Sequence, residues 1–330
     1  MQERPDPQAA RASTVQTVDS PRLTFVIVIV CPGQGSQKPG FLEPWLQRPG
    51  ARDLLGALGD ACGVDLMTHG TTSDADTIRD TAIAQPLIVA ASLASFEVLK
   101  SAGLEKFSGV AGHSVGELAA AAIAGVIDNP TAMKLVTKRG SEMADAAAIS
   151  KSSMAAVLGG DRDEVVSHLV GLGLSPANYN GGGQIVAAGS AEAIARLAEN
   201  PLAGTRVIPL QVAGAFHTEF MEPAVAELAN FVSGVESETP KVKLWTNRDG
   251  SVISSGTEFI NLIVDQVSNP VRWDLCMDAM VAAGVTALIE LSPAGTLAGL
   301  AKRGMPGVET LALKTPEQLD AAIELAKNHG

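Results

Sequence analysis

The sequence predicts an α/β protein built on a largely parallel sheet, with a smaller unit inserted midway. Three observations carry this reading. Apolar segments of strand length alternate with helical periodicity through the first 150 residues. Between 151 and 213 the order becomes strand, helix, strand, strand, helix, strand, which is a ferredoxin-like arrangement. After 214 the longer alternation resumes. The chain divides accordingly into a disordered tail at 1–22, a first part of the large subdomain at 23–150, the small subdomain at 151–213, and the second part of the large subdomain at 214–330.

Each element has a local reason. The tail mixes Glu3, Asp6 and Asp19 with scattered Arg, Pro and Ser, so it fits neither a secretory signal nor a transit peptide. Residues 25–31 are apolar and mostly β-branched, the pattern of a buried strand, and Pro32-Gly33 stops them. Helical periodicity over 85–101 ends before Gly103. A short apolar stretch at 108–112 leads to Ser114, followed by an Ala-rich helix to Gly125 and another over 129–148. The inserted unit reads as strand 153–158, helix 161–172, an extended piece at 176–180, strand 184–188, helix 191–199 and strand 206–210. Strands at 242–245, 285–291 and 310–313 complete the large sheet.

Composition narrows the function classes. The 330 residues are 46% hydrophobic and 18% charged, with a formal net charge of −12. That acidity excludes the basic footprint of a nucleic-acid binder, and the apolar content excludes general disorder. Cys31, Cys62 and Cys276 are odd in number and far apart, so a reducing, cytoplasmic setting is expected. The apolar run at 25–31 is far short of the roughly 18 residues that span a bilayer. No H-E-x-x-H or other paired ligand spacing occurs, so no metal is expected.

Chemistry concentrates at a few points. Gly112-His113-Ser114-Val115-Gly116 fits G-x-S-x-G, a strand-to-helix turn that exposes a nucleophilic hydroxyl to helix amides. The same serine in Ser114-x-x-Glu117 also fits a capping box, in which it would merely cap the helix. A serine nucleophile needs a base, and His217 stands where the inserted unit ends and the large subdomain resumes. No aspartate stands out as a third member, and more than a hundred residues follow His217, unlike an ordinary hydrolase triad. The loop Pro32-Gly33-Gln34-Gly35-Ser36-Gln37 lacks the third small residue of a dinucleotide fingerprint, since Lys38 stands there. It can still present amides to an anion, or be a plain turn. On its own, Arg139 reads as a surface arginine late in a helix.

Taken together these motifs resemble the malonyl-CoA:acyl carrier protein transacylases, in the acyltransferase family of fatty acid and polyketide synthesis. The resemblance runs from about Leu23 to the C-terminus, through the loop at 32–37, Gly-His-Ser-Val-Gly-Glu at 112–117, Arg139, Gly-Ala-Phe-His at 214–217, and Gln266 ahead of Asn269-Pro270-Val271-Arg272-Trp273. It implies a hydrolase-like large subdomain with a ferredoxin-like insertion. It also implies Ser114 as nucleophile and His217 as base, steadied by a carbonyl at Gln266 in place of a carboxylate. The amides of Gln34 and Val115 would form the oxyanion hole, and Arg139 would hold the malonyl carboxylate bidentately. Phe216 would favour malonyl over methylmalonyl, with His113 and Asn180 close to the substrate. The partners implied are malonyl-CoA and holo acyl carrier protein, with the chain acting as a monomer and coenzyme A a product rather than a cofactor. Lys134, Lys138, Lys302 and Arg303 are candidates for docking an acidic carrier. A polyketide carrier as recipient, or a serine thioesterase, are the alternative readings.

Overall fold

The computed structural model describes residues 26–329, so the tail expected at 1–22 lies outside the described residues. The first part of the chain runs β1 (Ile27–Cys31), α1 (Ala51–Cys62), α2 (Leu66–Thr71), α3 (Thr81–Ser101), β2 (Gly109–Gly112), α4 (Gly116–Ile123) and α5 (Asn129–Ile149). The middle runs β3 (Ser152–Gly159), α6 (Arg162–Gly171), β4 (Ser175–Gly181), β5 (Gln184–Ser190), α7 (Ala191–Glu199) and β6 (Thr205–Pro209). Then follow α8 (Glu222–Val232), β7 (Lys243–Trp245), α9 (Gly256–Asp265), α10 (Trp273–Ala282), β8 (Ala287–Glu290), α11 (Thr296–Gly304), β9 (Glu309–Ala312) and α12 (Leu319–His329).

Two sheets result. The larger has the order β7-β2-β1-β8-β9 and every pairing in it is parallel. β1 lies at its centre and all five of its residues are buried, which is why its sequence is continuously apolar rather than alternating. β2 needs small residues because Trp245 crosses it: a Cβ on Gly109 would lie 2.5 Å from the indole. The smaller sheet has the order β4-β5-β3-β6 and is wholly antiparallel. In local numbering that is 2-3-1-4, the ferredoxin-like strand order.

Alternation along β3 decides what each face meets. Ala155 and Val157 pack with Val165 and Leu169 of α6 and Ile194 and Leu197 of α7. Met154, one residue out of phase, joins the main core instead. The small sheet is therefore covered by its own helices on one side and by the large subdomain on the other. β4 is also stitched to the large subdomain by backbone: Tyr179 N–H donates to the Val271 carbonyl at 2.9 Å, and Val271 N–H to the Ala177 carbonyl at 2.9 Å.

One boundary differs instructively from the sequence reading. α3 begins at Thr81 rather than 85, because the Asp80 carboxylate accepts from Ala82 N–H and caps it there, leaving Pro86 inside the helix. α3 is long and apolar enough to cross a membrane, but 83% of its most apolar window is buried inside the protein.

Candidate active site

β1 and β2 are paired so that Cys31 stands opposite Gly112, and the loops that follow them therefore meet at one edge of the sheet. The carboxyl edge of a parallel sheet is where such folds build sites. Ser114 sits there with φ 51°, a left-handed conformation that costs a non-glycine residue about 1–2 kcal/mol. The turn is packed too tightly for side chains on either flank. A Cβ on Gly112 would lie 2.0 Å from the backbone carbon of Gly116, and one on Gly116 would lie 2.2 Å from the Cys31 carbonyl oxygen. The strained serine is held from the side by its own N–H, which donates to Asn247 Oδ1 at 2.8 Å. The capping-box alternative is not realised: Val115 occupies the cap position of α4 and no side chain caps it. Glu117 is turned inward and buried instead.

His217 lies beyond β6, also left-handed at φ 63°, with its N–H donating to the Val267 carbonyl at 3.1 Å. Its ring bridges two groups. Nε2 is 2.7 Å from Ser114 Oγ, and Nδ1 is 2.7 Å from the main-chain oxygen of Gln266. A carbonyl can only accept, so Nδ1 carries the proton and Nε2 turns its lone pair to the serine hydroxyl. Burial pushes the imidazole pKa down to about 3, the Arg139 charge adds to this, and the Gln266 carbonyl only partly opposes it. The ring is therefore neutral across the physiological range.

Arg139 is not the surface arginine its helix position predicts. It is 1% exposed on the inner face of α5. Nη1 donates to Gln85 Oε1 at 2.7 Å and Nη2 to Gln266 Oε1 at 2.9 Å, while Nε has no acceptor among the described residues. Burial lowers its pKa to about 10, against the pull of the Glu117 charge, so it stays cationic near neutrality. Arg139 does not itself line the cleft above Ser114, but Gln85 and Met143, which bond to one another beside it, do.

That cleft has a volume of about 280 Å³ and includes Gln34, Ser114, Val115, Asn180, Phe216 and His217 in its lining. Among the described residues, neither the Gln34 nor the Val115 backbone N–H has a protein acceptor. His113 reaches the inserted subdomain, with Nε2 2.9 Å from Asn180 Oδ1. Burial lowers its pKa in spite of the Asn180 contact. Of the four basic candidates, Lys138 is already bonded to Glu142 Oε1 at 2.7 Å. Lys134, Lys302 and Arg303 are exposed, and the last two end α11, whose Thr296, Leu297 and Leu300 line the cleft. Among the described residues no group of three or more His, Cys, Asp or Glu side chains could hold a metal ion.

Three residues of the site were given no part in its chemistry by the sequence reading. Gln85 is an amide in an otherwise apolar helical run, a signal that could have found it. Asn247 follows β7 at the same sheet edge as the elbow, but nothing in its sequence neighbourhood marks it. Glu117 was visible only as a possible cap.

The chain matches the acyl transferase domain family over residues 28–316. It is 49% identical over 304 residues to the malonyl CoA-acyl carrier protein transacylase of Mycobacterium tuberculosis strain H37Rv, covering 91% of this chain and 100% of that protein. The crystal structure of MCAT from M. tuberculosis superposes with a TM-score of 0.87 at 49% identity, over 91% of this chain and 99% of the other. A malonyl-transacylase solved with the holo acyl carrier protein of a type II polyketide synthase gives a TM-score of 0.87 at 31% identity, over 91% of this chain and 99% of its own.

Proposed function

The chain belongs to the acyl transferase domain family, and from that premise we propose that it moves a malonyl group from malonyl-CoA to the thiol of holo acyl carrier protein, through a malonyl ester on Ser114. One observation carries the chemistry: a serine hydroxyl, a neutral imidazole and a carbonyl linked at 2.7 Å and 2.7 Å, beside a buried arginine whose Nε has no partner among the described residues.

In the first half-reaction His217 Nε2 takes the Ser114 proton as Oγ attacks the thioester carbonyl carbon. The oxyanion accepts from the amides of Gln34 and Val115. The tetrahedral adduct collapses with loss of the coenzyme A sulfur, which leaves as thiol with the proton held by His217. In the second half the carrier's thiol gives its proton to His217 and attacks the ester, and Ser114 leaves reprotonated. The Gln266 carbonyl keeps the imidazole in the tautomer both halves require. Arg139 binds the malonyl carboxylate, which displaces Gln85 Oε1 from the guanidinium, and so fixes the acyl group against attack by water. Phe216 packs against the acyl α-carbon and disfavours a methyl branch. Asn180 holds His113 beside the nucleophile. The reaction needs no further cofactor, because the thioester is already activated, and every group named comes from one chain, acting as a cytoplasmic monomer.

The test is the intact mass after brief exposure to malonyl-CoA without carrier, repeated on Ser114→Ala. A malonyl adduct on the unaltered protein alone, discharged on addition of holo carrier protein, is the expected result. Coenzyme A released with free malonate and no adduct would replace this reading with that of a thioesterase.

A further inference from the structure

The chemistry above gives no task to Glu117, which is 1% exposed on the first turn of α4. A carboxyl group at that depth is costly unless both oxygens are matched. Both are. The main-chain N–H of Asn247 donates to Oε1 at 2.6 Å, and Gln266 Nε2 donates to Oε2 at 2.6 Å. Those two donors belong to residues that hold the reacting groups. Gln266 accepts from Arg139 through Oε1 and from His217 through its main-chain oxygen. Asn247 accepts the Ser114 N–H through Oδ1 and gives Nδ2 to the Gly112 carbonyl at 2.7 Å.

The orientation of the Gln266 amide is decided by the groups around it, Asn247 Oδ1 included, which accepts from Nε2 at 3.1 Å beside the shorter bond to Glu117. With a carboxyl on one side and a guanidinium on the other, NH2 must face Glu117 and the oxygen must face Arg139. Reversed, NH2 would oppose the guanidinium and oxygen would oppose the carboxyl. Interposing an amide also keeps the Glu117 carboxyl, whose pKa burial raises to about 8, from pairing directly with the guanidinium.

We propose that Glu117 is a positioning residue for the acyl-carboxylate site: by fixing the Gln266 amide it holds Arg139 where the carboxylate of the malonyl group can reach it. The proposal rests on the reading of Arg139 as the carboxylate holder, and Glu117 itself touches no substrate.

Glu117→Gln tests it. The change is isosteric, yet an amide accepts through its oxygen alone and presents NH2 at the other position, where the ionised carboxyl accepts at both. Ser114 acylation is measured with malonyl-CoA and with acetyl-CoA, which carries no carboxylate for Arg139. Glu117→Gln is expected to lower the malonyl-over-acetyl ratio of kcat/KM by about tenfold or more, chiefly through the malonyl KM. Gln266→Met keeps the main-chain carbonyl under His217 and should show the same selective loss. The double variant should be no worse than Gln266→Met alone. Should Glu117→Gln not fold, Glu117→Asp, too short to reach both donors, takes its place in the same cycle with the same expectation. An equal fall for both acyl groups, or losses that add in the double variant, would overturn the proposal. Absence of any malonyl ester on the unaltered protein would instead overturn the underlying reading.

Discussion

At the scale of single residues, the environment of His217 has a direct kinetic consequence. An ordinary imidazole base, at 6.5, would be half protonated near that pH, but burial beside Arg139 brings this one down to about 3. The base form is the one that works, and lowering the pKa extends it toward acid. The rate of Ser114 acylation should therefore stay flat from neutrality down to about pH 5. A single-turnover profile that halves near 6.5 would show that the ring is solvated during the reaction. The strain at Ser114 makes a second expectation. Glycine tolerates φ 51° and alanine does not, so Ser114→Gly should be more stable than Ser114→Ala by about 1 kcal/mol, while both lose acylation. Equal denaturation midpoints for the pair would mean that the turn relaxes when the hydroxyl is gone.

At the scale of elements, the elbow depends on how closely α4 approaches β1. Gly116 is pressed on the Cys31 carbonyl, and backbone cannot retreat as a flexible side chain could. Gly116→Ala should cost about 3 kcal/mol or more, or prevent folding, and thermal or urea unfolding measures it. The motif glycines are thus explained by packing as well as by catalysis. This is also why so much of the site was legible. Ser114, His217 and the glycine loop sit at element ends, where sequence signals are strongest, and the inner strands of the inserted unit are short apolar runs, buried on both faces. What escaped lies inside helices or depends on distant pairing. Pro86 sits within α3 because Asp80 caps the helix a turn earlier, and tertiary burial outweighs the usual preference for proline at a helix start. Helices α1, α2, α8, α9, α10, α11 and α12 went unread. Asn247 and Glu117 could not be paired from sequence, because 130 positions separate them.

At the scale of the whole molecule, a net charge of −12 must be reconciled with an acidic carrier. Lys302 and Arg303 end the helix that walls the cleft, and they stand exposed, whereas Lys138 is occupied by Glu142. Reversing both charges, Lys302→Glu with Arg303→Glu, should raise the carrier KM several-fold, about 1–2 kcal/mol at low salt, and leave self-acylation by malonyl-CoA unchanged. An unaltered carrier KM would move the docking face elsewhere, with Lys134 on α5 the next candidate.

The stitch between β4 and the segment around Val271 also bears on engineering. The inserted unit supplies Met154, Asn180 and Val186 to the cleft, so exchanging it between relatives is an obvious way to alter acyl preference. It is not a free cassette. Ala177 and Tyr179 on the insert trade backbone hydrogen bonds with Val271, nearly a hundred residues downstream in the acceptor. A chimera that moves 151–213 alone would carry one half of a seam and leave the other behind. The acceptor's strip from 270 to 272 has to meet it in the same register for the two backbone bonds to form.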